Sequence, residues 1–423
     1  MTLTPALIDE LFRHAGRSPS AHNTQPWVPR FVAGDGHSPA EVVLTVDPLR
    51  TLPAGDPTFE DLHLSMGCWV ESFAIAAAEA GLSVETTSIR GCGSALEVRI
   101  QIGEGTPSST ASTVAADNGA NDPWPPFGVA DLYHRQVDRG PLRRDGAAFA
   151  SALRAVNSAL SATGGPLHST GAGSSAELVE IPDQLWKPLQ GRSSLYSLSD
   201  PAIFRETLDW LRFDSRDPRC FRDGLSANCL RIPPMIAAAA ARLNTASLRP
   251  WIGSLTSAVL TPVGFAQRIR ASLRRRALSE DSGSGEGLPP RTTAPHRVIL
   301  TVDDALTATA GGWSEDHDRS TRDDIVQAHA RAAQEIEVGR TLLRIWLLFD
   351  RCGLRVDVHS ELKDCPETKA ELSAFLARRS LVESATTEIP SPQNSPRSRR
   401  RPIAAFSVGR STSEVPRSHR LNT

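Results

Sequence analysis

Two short stretches carry residue types whose spacing could do chemistry. The first, SPSAHNTQPW (Ser18–Trp27), sets the amides Asn23 and Gln25 two positions apart between Pro19 and Pro26 and ends on Trp27. Proline fixes φ and removes a backbone donor, so the run is expected to be extended. Alternate residues of an extended chain face one side. Asn23 and Gln25 then offer two donor and acceptor pairs to one flat object, with Trp27 beside them. The second stretch, RQVDRGPL (Arg135–Leu142), brings Arg135 and Arg139 onto one helical turn or one tight loop, where both guanidiniums can meet a single anion. A plainer reading stands beside each. The amides can tie down their own loop through backbone bonds, the arginines can be a solvated helix start, and Trp27 can be core.

Composition narrows the partners. The 423 residues carry a net charge of -2, with 40% hydrophobic content, enough for a real core. This balance argues against a nucleic-acid binder, which usually needs a strongly basic face. No run reaches membrane-span length, and the acidic residues within MTLTPALIDELFRHAG are unlike a signal peptide, so a cytoplasmic location is expected. Cys68, Cys92, Cys220, Cys229, Cys352 and Cys365 form no C-x-x-C pair; they are expected to be reduced and structural, with no metal site. Lysine occurs only at Lys187, Lys363 and Lys369, so a phosphate in a site would meet guanidinium forks.

The elements that must position these residues fall into blocks. Segments 104–122, 278–297 and 384–402 are rich in Ser, Gly, Pro or Thr and read as linker and insertions. They leave an N-terminal half (1–103), a second half with lid-like helices (123–277), its continuing helix and strand (298–383), and a terminal strand and tail (403–423). The first half reads as a helix over Leu3–Ala15, the quoted loop, strands Val28–Val32 and Val42–Val46, and a long helix from near Asp61 to a C-cap at Gly81. Ile325–Arg351 reads as a second long helix stopping at Gly353. GCWVESFAIAAAEAGLSVE and GRTLLRIWLLFDRCGLRVD lie over each other with the same glycine spacing, Gly67 to Gly81 and Gly339 to Gly353. A helix, Gly-Leu, strand unit used twice suggests an internally duplicated α+β domain.

The two stretches also carry a family resemblance. SPSAHNTQPW resembles the P-S-x-x-N-x-Q-P-W segment of the nitroreductase-like FMN flavoproteins, and RQVDRGPL resembles their R-R-[ST]-x-R-x-[PF] segment. DPLRTLPAGDPTFEDLHLSMGC (Asp47–Cys68), WLRFDSRDPRCFRDGL (Trp210–Leu225) and FSVGRS (Phe406–Ser411) are similar to parts of the single-chain branch, in which two half-domains are fused. The order of the first two segments is also that of the fused branch.

The resemblance implies an α+β, nitroreductase-like fold whose two fused half-domains form a pseudo-dimer around one flavin site. It implies FMN as cofactor, with Arg135 and Arg410 toward the phosphate, Asn23 and Gln25 toward the pyrimidine edge of the ring or, for Asn23 equally, the ribityl chain, and Arg139 near flavin N1 and O2. Gln136 and Val137 stand where the family has a basic residue and then Ser or Thr, so a hydroxyl is lost from the flavin contacts. Hydride passes through flavin N5, and the protein then needs no nucleophile of its own.

The expected function is ping-pong hydride transfer, with NAD(P)H as a donor and a small, flat, electron-poor substrate, in a monomeric pseudo-dimer or a homodimer. A flavin-sequestering protein, lidded by the Trp210–Leu230 segment, is the alternative. Three further stretches carry weaker signals. GAGSSA (Gly171–Ala176) has the G-x-G-x-x-A shape of a dinucleotide loop, EDHDR (Glu315–Arg319) has metal-like residue types, and RSRRRP (Arg397–Pro402) is a short basic run. Each reads more simply as turn, solvated loop or tail.

Overall fold

The run Glu60–Glu79 holds so many small and apolar residues that an α-helix formed from it has no polar face, and such a helix must be buried on all sides. In the computed structural model, which describes residues 3–35, 38–104, 123–162, 176–244, 294–303, 322–386 and 400–421, this helix is the centre of the molecule. The first half comprises α1 (Pro5–Ala15), β1 (Trp27–Val32), β2 (Ala40–Val46), α2 (Glu60–Glu79), β3 (Leu82–Arg90) and β4 (Glu97–Glu104). Then come α3 (Val129–His134), β5 (Leu142–Arg143), α4 (Gly146–Ala162), β6 (Ala176–Glu180), α5 (Asp183–Ser199), α6 (Pro201–Trp210), β7 (Leu211–Arg212), β8 (Leu225–Ser226) and α7 (Pro234–Leu243). The chain is described again over β9 (His296–Asp303), α8 (Arg322–Arg351), β10 (Arg355–Val358), α9 (Glu361–Asp364), α10 (Pro366–Thr386) and β11 (Arg400–Ser411).

The protein is α+β with antiparallel main sheets, and one topology occurs twice. The first sheet runs β1-β2-β4-β3 and the second β6-β9-β11-β10, with β5 added to β11. In each, two strands precede a long helix and two follow it, and every neighbouring pair is antiparallel. α2 and α8 each hand over to a glycine at positive φ, Gly81 at 75° and Gly353 at 72°, which releases the chain from the helix into the next strand.

The two long helices cross at a pair of glycines. A Cβ on Gly67 would lie 2.0 Å from the Ile336 carbonyl oxygen, and one on Gly339 would lie 2.3 Å from that of Leu64. Without side chains there the backbones approach closely, and each helix reaches the opposite core. Ala332 and Ile336 of α8 pack among Trp69, Phe73 and Leu44 of the first half, while Leu64 of α2 packs among Phe349, Trp346 and Phe406 of the second.

Ion pairs fasten the same crossing. Burial alone would raise the Glu71 carboxyl, yet Arg344 and Arg340, at 2.6 and 3.0 Å, hold it below the usual carboxylate range. A buried pair of this kind is strongly destabilising to break, because the remaining charge is left in low dielectric.

The helices and strands expected from the sequence are present, with α2 beginning at Glu60 and α8 at Arg322. Thr4 caps α1, its hydroxyl accepting from the Leu7 N–H at 3.3 Å, so this helix begins at Pro5 and not at Leu3. Among the described residues no helix is long and apolar enough to cross a membrane. Residues 105–122, 278–293 and 387–399 of the expected linker and insertions, Gly171–Ser175 of the GAGSSA run, and Glu315–Arg319 lie outside the described residues.

Alanine at the crossing should destabilise. Gly339→Ala gains ~1 kcal/mol of helix propensity, but overpacking against backbone costs about 1–3 kcal/mol or more. Gly191→Ala in α5, where a Cβ would meet nothing within 4 Å, serves as the control. In urea melts Gly67→Ala and Gly339→Ala are expected to lower the midpoint and Gly191→Ala to raise it. A rise in all three would mean that the helices do not touch as described.

Candidate functional site

The Ser18–Trp27 segment is held by its own polar residues. The Ser18 hydroxyl, fully buried, lies 2.8 Å from the Ala15 carbonyl and 2.8 Å from the Ser72 hydroxyl of α2. Ser20 accepts the Gln25 N–H at 2.9 Å. The extended conformation expected between the prolines is not found. Ala21–Asn23 form a 3-10 turn, and His22, Asn23 and Gln25 take φ of 48°, 56° and 54°. Asn tolerates this left-handed region because its short side chain finds partners locally, and the turn leaves Pro19 and Pro26 at its margins. The amides share a side because the loop curls, not because a strand alternates. Trp27 points into the core, 4% exposed.

Both amides meet two other segments of the chain. Asn23 Nδ2 donates to the carbonyls of Gly224 and His419, each at 3.0 Å, and Asn23 Oδ1 accepts from Arg420 at 2.5 Å. Gln25 Nε2 donates to the Arg222 carbonyl at 2.9 Å, and its Oε1 accepts the Leu421 N–H at 2.8 Å. The Trp210–Leu230 segment therefore lies directly on the loop. It is pinned there by Asp223, which pairs with Arg212 at 2.7 Å and Arg50 at 3.1 Å, while Arg50 also donates to the Thr24 carbonyl at 2.7 Å.

The Arg135–Leu142 segment leaves α3 in an extended form. Val137 forms a parallel bridge with Val356 of β10, and the Asp138 N–H donates to the Val356 carbonyl at 2.9 Å. Val137 also packs against the second core, which accounts for a β-branched apolar residue at this position. Asp138 is buried and organises the segment. It accepts from Arg231 at 2.7 Å, from the Ser411 hydroxyl at 2.6 Å and from the Gly140 N–H at 2.8 Å.

The guanidiniums of this region are short of acceptors. Arg135, 7% exposed, donates to the Arg17 carbonyl at 3.0 Å and lies over the Trp346 ring, and its Nε has no partner. Burial pushes it down to about 10, with the nearby Arg17 charge acting in the same direction. Arg139, mostly buried, makes neither a hydrogen bond nor an ion pair among the described residues; burial lowers it, against the more distant charges of Asp357 and Asp138. Guanidinium stays protonated at neutral pH regardless. These downward shifts therefore mark positions where a positive charge is poorly compensated.

Arg410 is placed differently from Arg135. It pairs with Asp145 at 2.5 Å beside Gly353, on the wall of a cavity of 740 Å³ that Gln136, Arg355, Ser411 and Arg417 also line. The Gln136 side-chain amide oxygen accepts from Arg417 Nε and Nη2, each at 2.8 Å. The structure thus gathers Asn23 and Gln25 in one cluster, and Gln136 and Arg410 in an adjoining cavity. The Arg139 charge bears on His22 in the amide loop. Burial first, and the Arg139 charge second, push the His22 imidazole down to about 4, and its Nδ1 is buried without a partner.

Sequence reasoning did not single out Arg17, Asp138, Arg231 or Arg420. Arg17 directly precedes the quoted loop, so its position was a signal; the roles of the other three come from chain segments distant in sequence. No protein-family model matches the chain, and no curated protein is significantly similar to it.

The His22 shift fixes a pH dependence. A folded-state pKa near 4 against an ordinary 6.5 means that the folded protein binds fewer protons, so stability from this group is present above pH 6.5 and is lost as pH falls toward 4. The His22 ring resonances are expected to stay flat from pH 8 to about 5, and Arg139→Gln should move their midpoint upward. A midpoint near 6.5 in the unmodified protein would place His22 in solvent, away from Arg139.

Proposed function

We propose that the chain is an FMN-dependent oxidoreductase of nitroreductase-like architecture, with two fused half-domains around one flavin site. The carrying observation is convergence. Arg135 of the second half donates to the Arg17 carbonyl at the start of the amide loop, the Arg139 charge bears on His22 within it, and among the described residues neither guanidinium has a carboxylate bonded to it. The repeated topology supports the pseudo-dimer reading, since a site between two like halves is what a fused dimer would build.

The residues fit the chemistry of the group in part. A phosphate monoester is best held by guanidinium forks, and Arg135 has donors to spare. Arg410 would share its donors with Asp145. Val137 offers backbone groups in place of the missing hydroxyl. Asn23 and Gln25 match the alternating acceptors and N–H of a flavin pyrimidine edge, but their donors are engaged by the Gly224, His419 and Arg222 carbonyls. Binding the ring at these amides requires those segments to yield.

When bound, FMN supplies hydride transfer at N5. By the resemblance, Arg139 would set a positive charge toward the part of the ring that becomes negative on reduction, and so would favour reduction. Its burial strengthens that effect, because a charge in low dielectric is screened less. His22, kept neutral by burial and the Arg139 charge, adds nothing to that effect. NAD(P)H as donor and a small, flat, electron-poor acceptor (a nitro compound, a quinone or a metabolite) suit alternate use of one pocket in a cytoplasmic enzyme, monomeric or homodimeric.

One observation favours a second reading, sequestration of FMN without turnover. The Arg222–Gly224 backbone lies on both amides and is fastened by buried Asp223, as a lid would be.

Freshly purified protein is expected to be yellow, or to become yellow with FMN. Arg139→Gln should weaken FMN by roughly 10–100-fold, as expected for loss of a charged hydrogen bond, and should lower the flavin potential. Anaerobic NADPH bleaches the flavin band if the protein is a reductase and leaves it unchanged if the flavin is stored. A protein that neither contains FMN nor takes it up overturns both readings.

A further inference from the structure

The chain after β11 turns back over the site. Its outer part, Ser413–Arg417, walls the 740 Å³ cavity, and its inner part, Ser418–Leu421, lies on the amide loop. Arg231 holds the outer part through the Ser413 hydroxyl at 2.9 Å and the Glu414 carbonyl at 3.0 Å. Arg417 donates to the Tyr133 carbonyl, and the Ser418 hydroxyl lies 3.6 Å from Cys229 Sγ. One continuous segment therefore separates the cavity from the interior of the site.

This segment carries a third guanidinium inward. Arg420 bonds Asn23 Oδ1 and the His419 carbonyl, and its Nε, like the Nε atoms of Arg17 and Arg135, is buried without a hydrogen-bond partner among the described residues. Arg135 donates to the Arg17 carbonyl at 3.0 Å, and the charges of both act on Arg420, which burial already lowers. Arg17 lies over the Tyr133 ring and has no ion pair among the described residues. Nearby carboxylates are committed elsewhere. Asp350 serves His134 and Arg355, and Glu71 serves Arg340 and Arg344. Like charges brought together out of water are costly unless an anion joins them.

We propose that Ser413–Leu421 is an anion-locked strap: a phosphate-class group seats among the guanidiniums of Arg17, Arg135 and Arg420 and holds the strap shut over the Asn23–Gln25 loop. Three forks around one site suit a dianion with several acceptor oxygens. The phosphate can be that of a bound FMN or belong to a separate phosphorylated ligand. The inference shares its site with the proposed function but needs only the anion, so the two can fail separately.

Hydrogen exchange of the full chain, read on peptides covering 413–421, tests it with inorganic phosphate, FMN and riboflavin as probes at constant ionic strength. Phosphate or FMN, but not riboflavin, is expected to slow exchange in the strap at least ~10-fold. Arg420→Ala and Arg17→Ala should each abolish that protection, while Arg219→Ala, at an exposed ion pair with Asp217, keeps it. Protection by inorganic phosphate alone assigns the site to a separate phosphate ligand, and protection by FMN alone assigns it to the flavin phosphate. Strap exchange unmoved by both probes, riboflavin acting as well as FMN, or full protection in Arg17→Ala would overturn the strap. Phosphate protection in a protein that binds no flavin upholds the strap and removes the flavin reading; flavin binding with an unmoved strap does the reverse.

Discussion

The contact between α2 and α8 constrains everything around it. At Gly67 and Gly339 the helix backbones approach until a single Cβ on either would strike the other's carbonyl oxygen. That approach lets Leu64 cross into one core and Ile336 into the other, so neither half can complete its hydrophobic interior alone. It also brings Glu71 within reach of Arg340 and Arg344. Two sheets built in the same strand order are thereby locked to one helix pair, and the loops at the junction inherit a fixed relation to each other.

The candidate site is a consequence of that relation. The Asn23–Gln25 loop is tied to α2 through Ser18, and the Arg135–Arg139 segment is tied to β10 through Val137 and Asp138. Because α2 and β10 belong to different halves, the helix crossing decides that the arginine segment comes to the start of the loop, where Arg135 bonds the Arg17 carbonyl. Electrostatics then gives the place its character. Arg17, Arg135, Arg139 and Arg420 are drawn out of water with few acceptors, while the acidic residues nearby are used in structural pairs such as Asp138 with Arg231 and Asp223 with Arg212. An excess of positive charge in a partly closed space is a general feature of anion sites.

Much of the fold was legible because its signals are local. The apolar spacing of Leu62, Met66, Trp69 and Phe73, the Gly-Leu endings and the β-branched apolar run Val42–Val46 are local helix and strand signals, and the corresponding elements occupy those positions. The site was legible only in pieces. Asn23, Gln25, Arg135 and Arg139 were visible as unusual residue types at short spacing, but the extended geometry expected for the first pair gave way to a left-handed turn. Arg410 was grouped with Arg135, whereas it pairs with Asp145 on a separate cavity wall.

By itself the sequence determined the helix and strand periods, the duplicated helix-to-strand unit and the presence of two chemically distinctive stretches, since these depend on residues a few positions apart. Tertiary structure alone decided which partners the amides take. Gly224, His419 and Leu421 reach Asn23 and Gln25 from positions far along the chain. The same holds for the buried charges. Whether a guanidinium is neutralised or left wanting an anion depends on which carboxylates the packing delivers, and periodicity along the chain carries no information about that.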